Sequence, residues 1–284
     1  MCNRTVSGFS KGGLVRRCSR QLETEKIHLD PSFKDNYAQN FNCTPGSDLP
    51  MIISGEKYRK NTGKILEEDS DYAIMMMKWA FSLNGNSQAI TNARYETATE
   101  KKMFSKSIRD GNRALLVISG YYEWKAENKI KQPYLFYNKN FTEGSKEDYD
   151  DGIDANALFL ACIFKKENNI DNPLAFTILT RDASEQVKFC HHRMPLIFND
   201  KEAALQWLNA CPNTSFGSLV AKTEIPNINF HKVSTLVNKS SNKGYECIQE
   251  IKEEIKQETE PPKKKTTNVE ITNFAKKIKM EPVD

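Results

Sequence analysis

The chain has 284 residues, 38% hydrophobic and 10% aromatic, so it can bury a sizeable core as one large domain or two small ones. Its formal net charge of +4 is too modest for an overall positive field, so nucleic-acid binding would need a local basic cleft. The seven cysteines form no CxxC pair, and no signal peptide or long apolar run is visible. That excludes a transmembrane helix and points to a reducing, intracellular compartment.

The chain opens Met1-Cys2-Asn3-Arg4. Trimming of Met1 leaves Cys2 with a free α-amine beside its thiol, a 1,2-aminothiol that no internal cysteine offers. The two groups titrate near pH ~8 and ~8.5, so both are partly nucleophilic at neutral pH. The amine can condense with an aldehyde and the thiol can close onto the imine carbon as a thiazolidine. Such a residue suits covalent capture of an aldehyde.

Residues 16–26 are polar and helix-compatible, and Asp30-Pro31 is expected to break that helix. Pro50 to Ile53 is a short strand. Residues 71–83, with Trp79 at their heart, read as a strand entering a loop, and Asn84-Gly85 marks a turn. Residues 90–97 lead into a helix through Phe104 and Ile108. Ala114 to Ile118 is a continuous apolar run of strand length, hence a fully buried strand, and it empties into Gly120-Tyr121-Tyr122-Glu123-Trp124. Pro133 to Tyr137 is another strand, and 138–156 a polar, acidic surface loop.

The apolar runs 157–164, with Cys162 as a small core hydrophobe, and 174–180 make a strand pair. A short helix fits 181–189, and a loop and strand follow through His191 to Phe198. Residues 199–211 read as an amphipathic helix capped by Asn199 with Glu202, its inward positions being Ala203, Leu205, Trp207 and Leu208. Phe230 to Val237 supplies a further strand. Strands outnumber helices and interleave irregularly. The expectation is an α+β fold: one domain over 2–250 with a curved, mainly antiparallel, barrel-like sheet and flanking helices. The Lys- and Glu-rich stretch 251–284 cannot bury enough apolar surface to fold alone and is expected to be a disordered tail.

Several polar groups sit at the ends of apolar elements, where a core can aim them into a cleft. Glu123 there is partly desolvated, so its pKa should rise and it suits general acid catalysis. His191 and His192 follow Cys190, but adjacent side chains on an extended segment point to opposite faces. No other ligand pattern supports zinc, so neither metal nor other cofactor is expected, and His191 reads as a catalytic or phosphate-facing histidine. Asn92 and Arg94 share a face if extended, a pairing that suits a sugar hydroxyl beside a phosphate.

Met1-Cys2-x-Arg4, Asn42-x-x-Pro45, Asn92-Ala93-Arg94-x-Glu96-Thr97, Gly120-Tyr121-Tyr122-Glu123-Trp124, Thr177-Ile178-Leu179-Thr180 and His191-x-Arg193-Met194-Pro195 occur in the order of a known family. Together they resemble the SRAP (SOS-response-associated peptidase) family over residues 2 to about 250, and most of all its eukaryotic branch. The resemblance implies covalent crosslinking to abasic sites in single-stranded DNA, shielding them during replication. Cys2 would be the nucleophile. Glu123 would protonate the sugar ring oxygen, Asn92 would position the sugar or the Cys2 amine, and His191 would shuttle a proton or steady the opened sugar. Arg4, Arg94 and Arg193 would contact phosphates, and Trp124 would stack or wedge at a single-strand/double-strand junction. Two departures stand out. Asn3 replaces a usual glycine, and Trp79-Ala80-Phe81-Ser82-Leu83 lacks the glycine and proline of a DNA-contacting loop.

In the tail, Lys252, Lys256 and Lys279 each sit in a hydrophobic-lysine-any-acidic pattern like the SUMO-acceptor consensus. Pro261 to Lys265 resembles a nuclear-import signal, and residues 268–274 loosely resemble a box for binding a sliding clamp, which together imply a nuclear protein at replication forks. Two other readings stay open at this stage. One is a thiol peptidase pairing Cys2 with His191, including self-removal of Met1. The other is a non-catalytic reader of modified bases such as hydroxymethylcytosine.

Overall fold

Strands follow the apolar runs, and alternation within each run decides which of two cores a side chain joins. The computed structural model describes residues 3–67, 70–81, 89–127, 130–139, 156–166, 174–212, 214–221 and 227–251. The chain divides into two compact units, Met1–Ile251 and Lys252–Asp284. The second unit lies outside the described residues, as do Cys2, Asn84-Gly85 and most of the 138–156 loop.

The first unit is an α+β domain on two sheets. One sheet runs in the order β14 (Ile228–Lys232), β9 (Ile130–Asn138), β8 (Gly120–Glu127), β1 (Thr5–Ser7) and β3 (Asn40–Cys43). The other runs β12 (Arg193–Pro195), β11 (Leu174–Asp182), β10 (Leu158–Lys166), β7 (Arg113–Ile118), β4 (Asp48–Ser54), β5 (Tyr72–Lys78) and β2 (Ile27–Leu29). On it, β13 (Ile197–Phe198) pairs with β10, and β6 (Asn92–Arg94) with β11. Pairing is antiparallel except where β2 meets β5, β6 meets β11 and β11 meets β5. That last pairing, Ala175 opposite Lys78, closes β11, β10, β7, β4 and β5 into a ring. The barrel-like curvature expected from the sequence takes this form.

Each ring strand is apolar on both faces. Met51, Met75, Leu116, Leu160 and Phe176 share one core with Trp79, while Ile52, Ile74, Leu115, Phe159 and Leu179 belong to the second. The second core lies under α1 (Lys11–Leu22) and α7 (Lys201–Asn209), through Leu14, Cys18, Trp207 and Leu208. This is why the runs in β7 and β10 show no polar alternation.

Four local features depart from the sequence-based expectation. Asp30-Pro31 does not end a helix but starts α2 (Pro31–Asn36): the Asp30 carboxylate accepts from Ser32 N at 2.8 Å, and proline suits the first helical position. The first helix begins earlier than expected, after the cap Ser10. The cap of α7 is Asp200, accepting from Ala203 N at 2.7 Å, not Asn199; Ala204 joins the buried face, and Leu205 is half-buried against the same core. Beyond β14 the expected long strand gives way to a 3-10 turn at Thr235–Asn238.

Candidate active site

Glu123 lies within β8, not in a surface turn, and is only 3% exposed. Burial raises its carboxyl pKa above the usual carboxylate range. Two features place this strand. Gly120 at its start leaves room for β9, since a Cβ there would stand 2.9 Å from the Phe136 carbonyl oxygen. Ser119 just before it binds the N-terminal strand, with Oγ donating to Val6 O at 3.0 Å and accepting from Gly8 N at 3.2 Å.

The N-terminal strand β1 runs antiparallel to β8, with Thr5 opposite Tyr121, Val6 opposite Gly120, and Tyr122 N donating to Arg4 O at 3.0 Å. One further step in that register sets Asn3 opposite Glu123. Asn3 Oδ1 accepts from Asn92 Nδ2 at 2.8 Å and from Thr91 Oγ1 at 2.9 Å. The start of the chain is thereby tied to both Glu123's strand and β6. Asn92 and Arg94 flank the buried Ala93, so they share the outer face of β6, as their spacing predicts. Behind them Trp79 is fully buried, stacked on Phe176 at 6.5 Å, and its Nε1 donates to Thr91 O at 2.9 Å. Trp79 thus braces Asn92 from inside rather than facing DNA, while residues 82–88 of the same loop lie outside the described residues.

His191 takes an unexpected posture. Its ring stacks on His192, with centroids 4.4 Å apart and planes 23° apart, so the two do not point to opposite faces. The reason is local: the segment turns after α6 (Glu185–Lys188) and is not extended until Arg193. Arg193 N donates to His191 Nδ1 at 2.9 Å, and Arg193 O stands 3.2 Å from the same nitrogen; because the backbone N–H can only donate, Nδ1 accepts and the neutral ring carries its proton on Nε2. Burial, with His192 and Arg193 nearby, lowers the His191 pKa, so the neutral form prevails at neutral pH. The neighbouring Cys190 has its thiol pushed up to about 12 by burial and by the charge of Glu123. That interaction ties the His191 segment to the same site.

The arginines part company. Arg94 is exposed and makes no side-chain hydrogen bond or ion pair among the described residues. Arg4 is half-buried: Nη1 donates to Asn42 Oδ1 and to Val237 O, both at 2.7 Å, which latches β1 onto the 3-10 turn. Asn42 holds the same turn through Nδ2, 3.0 Å from Val237 O and 2.8 Å from Asn242 O. Arg193, expected at a phosphate, is 5% exposed and committed to protein. Its fork grips Glu96 at 2.7 and 2.8 Å, and it also meets Asp182 at 2.6 Å and Thr180 O at 2.7 Å. Burial alone would lower its pKa, but the two carboxylates outweigh that and raise it. Trp124 is half-exposed, and its Nε1 donates to Asn238 Oδ1 at 2.7 Å.

The site therefore joins Asn3, Asn92, Glu123, Cys190 and His191 around the start of the chain. The model of the SOS response associated peptidase (SRAP) family matches residues 1–240. The chain belongs to the SRAP family. Its relatives include the abasic site processing protein HMCES of Gallus gallus, 30% identical over 87% of this chain and 77% of that one. HMCES of Xenopus tropicalis is 26% identical over 88% and 78%, and the abasic site processing protein YedK of Escherichia coli (strain K12) 30% identical over 88% and 100%. A crystal structure of a Bacteroides thetaiotaomicron protein shares the SRAP fold, with a TM-score of 0.64 at 20% identity over 88% of this chain and all of that one.

Proposed function

We propose that this SRAP protein processes abasic sites in single-stranded DNA by capturing them covalently through Cys2. The observation that carries the reading is the buried carboxyl of Glu123 on the strand that pairs with the N-terminal strand. Cys2 is one peptide bond before Asn3, and consecutive Cα atoms stand about 3.8 Å apart. The tether of Asn3 to Asn92 therefore limits where the aminothiol can go. The names of the curated relatives, abasic site processing proteins, support abasic sites as the substrate in this reading.

An abasic sugar is a cyclic hemiacetal, and the protonated Glu123 donates its proton to the ring oxygen as the C1′–O4′ bond breaks, while the C1′ hydroxyl gives up its proton to water and becomes the aldehyde. The Cys2 amine adds to C1′, and loss of one water gives the imine. The Cys2 thiol then adds to the imine carbon, its proton passing to the nitrogen, and closes the thiazolidine. Asn92 offers an amide to a sugar oxygen, and neutral His191 offers its Nε2 proton to the hydroxyl freed by ring opening. Arg94 supplies a phosphate contact, and Trp124 a face for an unstacked base.

Removal of Met1 is a prerequisite, and the same thiol and acid provide chemistry for self-removal. The SUMO-like acceptors Lys252, Lys256 and Lys279, the clamp-binding box and the nuclear location belong to this proposal as roles of the tail, which lies outside the described residues. Mass spectrometry of the nuclease-trimmed adduct tests the chemistry. A mass equal to protein plus nucleotide less one water, mapped to residue 2, is expected; an adduct on a lysine, or none, contradicts it.

A further inference from the structure

The chain carries little net charge, yet one cleft concentrates cations. It lies between the end of α3 (Gly55–Thr62), α5 (Lys102–Arg109) and the end of β10, with a volume of about 440 Å³. Lys60, Lys102, Lys106, Lys165 and Lys166 line it against one carboxylate, Asp110. That carboxylate is already matched by Lys106 at 3.1 Å and Arg109 at 3.9 Å. Lys60, Lys102 and Lys166 are exposed and make no ion pair or side-chain hydrogen bond among the described residues. Lys102 and Lys106, four apart on α5, share a face. Like charges held this close repel one another, and a polyanion relieves that repulsion.

The cleft is joined to the active site through packed side chains. Lys165 Nζ stands 4.7 Å over the Phe81 ring, and Phe81 pairs with Ile90, two residues before Asn92. With 4.7 Å from Lys165 to Phe81, about 5 Å across the pair and about 3.3 Å per extended residue, that path is about 16 Å. It equals about five nucleotides of stacked strand.

We propose that this lysine cleft binds the phosphodiester backbone of the strand flanking the captured site. The inference rests on the abasic-capture reading for the identity of its ligand. Flexible ammonium point charges along a groove suit a repeating phosphate chain read without regard to sequence. The cleft lining has Met103 as its one large apolar side chain, which offers little anchorage to an acidic peptide.

The test uses the full chain carrying Lys60→Gln, Lys102→Gln and Lys166→Gln together, with the matching Lys→Arg triple as control. Binding to an intact single strand without an abasic site is followed by fluorescence anisotropy across a salt series. Losing three contacts should flatten the slope of log K against log salt by about 2, and weaken binding roughly 50-fold near about 0.15 M salt, while the arginine triple keeps both. Capture of a short abasic oligonucleotide that cannot reach the cleft should proceed at the wild-type rate. An unchanged slope and affinity overturns the proposal. So does loss of binding to an acidic peptide, polyglutamate, with DNA binding intact. Failure of the wild type to capture the short oligonucleotide defeats the capture reading instead, and the salt slope still decides whether the cleft binds DNA.

Discussion

Glu123 is stabilised as an acid by the burial that makes it useful, so its two consequences oppose each other. A raised pKa in the fold means that ionisation costs stability as pH rises through that pKa, whereas below the unfolded value near ~4.3 both states are protonated and nothing is lost. Glu123→Gln should therefore raise the melting temperature at pH 8 relative to wild type. The gain should shrink toward pH 4 in calorimetry, while capture slows at pH values below the Glu123 pKa. Wild-type capture should decline as pH rises through the Glu123 pKa, because the proton donor is lost, and the glutamine variant should lack that decline. Arg94 and Arg193 make the contrasting pair. Arg94→Gln should lower the salt slope of DNA binding by about 0.7, the value of one single-strand phosphate contact. Arg193→Met should leave that slope unchanged and cost about 1–2 kcal/mol in urea unfolding, because Glu96 and Thr180 O lose their donor while the exposed Asp182 is simply re-solvated. Glu123 was legible in the sequence because it follows a buried run. The commitment of Arg193 was not, since Glu96 lies 97 positions away and neither motif names the other as its partner.

At the scale of elements, the site depends on two strand pairings that fix the start of the chain. The junction of β1 with β8 works because Gly120 admits β9 on the other side. Gly120→Ala should drive a Cβ against the Phe136 carbonyl and cost about 1–3 kcal/mol, read as a lower urea midpoint with capture reduced in proportion to folded protein. The strands themselves were readable as apolar runs, and β4, β7, β9, β10 and β11 fall where those runs do. The ring was not: it closes through Ala175 beside Lys78, nearly a hundred positions apart, a parallel contact with no local signature. The stacking of His191 on His192 escaped for a related reason, because a doubled histidine reads as alternating only if its backbone is extended. Asn3, a departure from the family's glycine, has a use visible only in three dimensions: its side chain bonds Thr91 and Asn92.

For the whole molecule, the modest net charge led to the expectation of a local basic cleft, and the lysines between α3, α5 and β10 are such a feature. In the proposed function, a covalent centre at the chain start and a salt-sensitive groove some nucleotides away would divide the work: the groove would retain the strand and the aminothiol would lock the lesion. Only a free N-terminal cysteine unites amine and thiol on neighbouring carbons, so the account stands or falls on Cys2. The decisive measurement is a denaturing gel of Met1-processed protein mixed with a single-stranded oligonucleotide bearing one abasic site, wild type beside Cys2→Ala. A heat-stable shifted band with wild type alone is predicted, since the alanine variant keeps an amine that can form only a reversible imine. No band from wild type with Met1 shown to be absent, or an equally heat-stable band from Cys2→Ala, would contradict it.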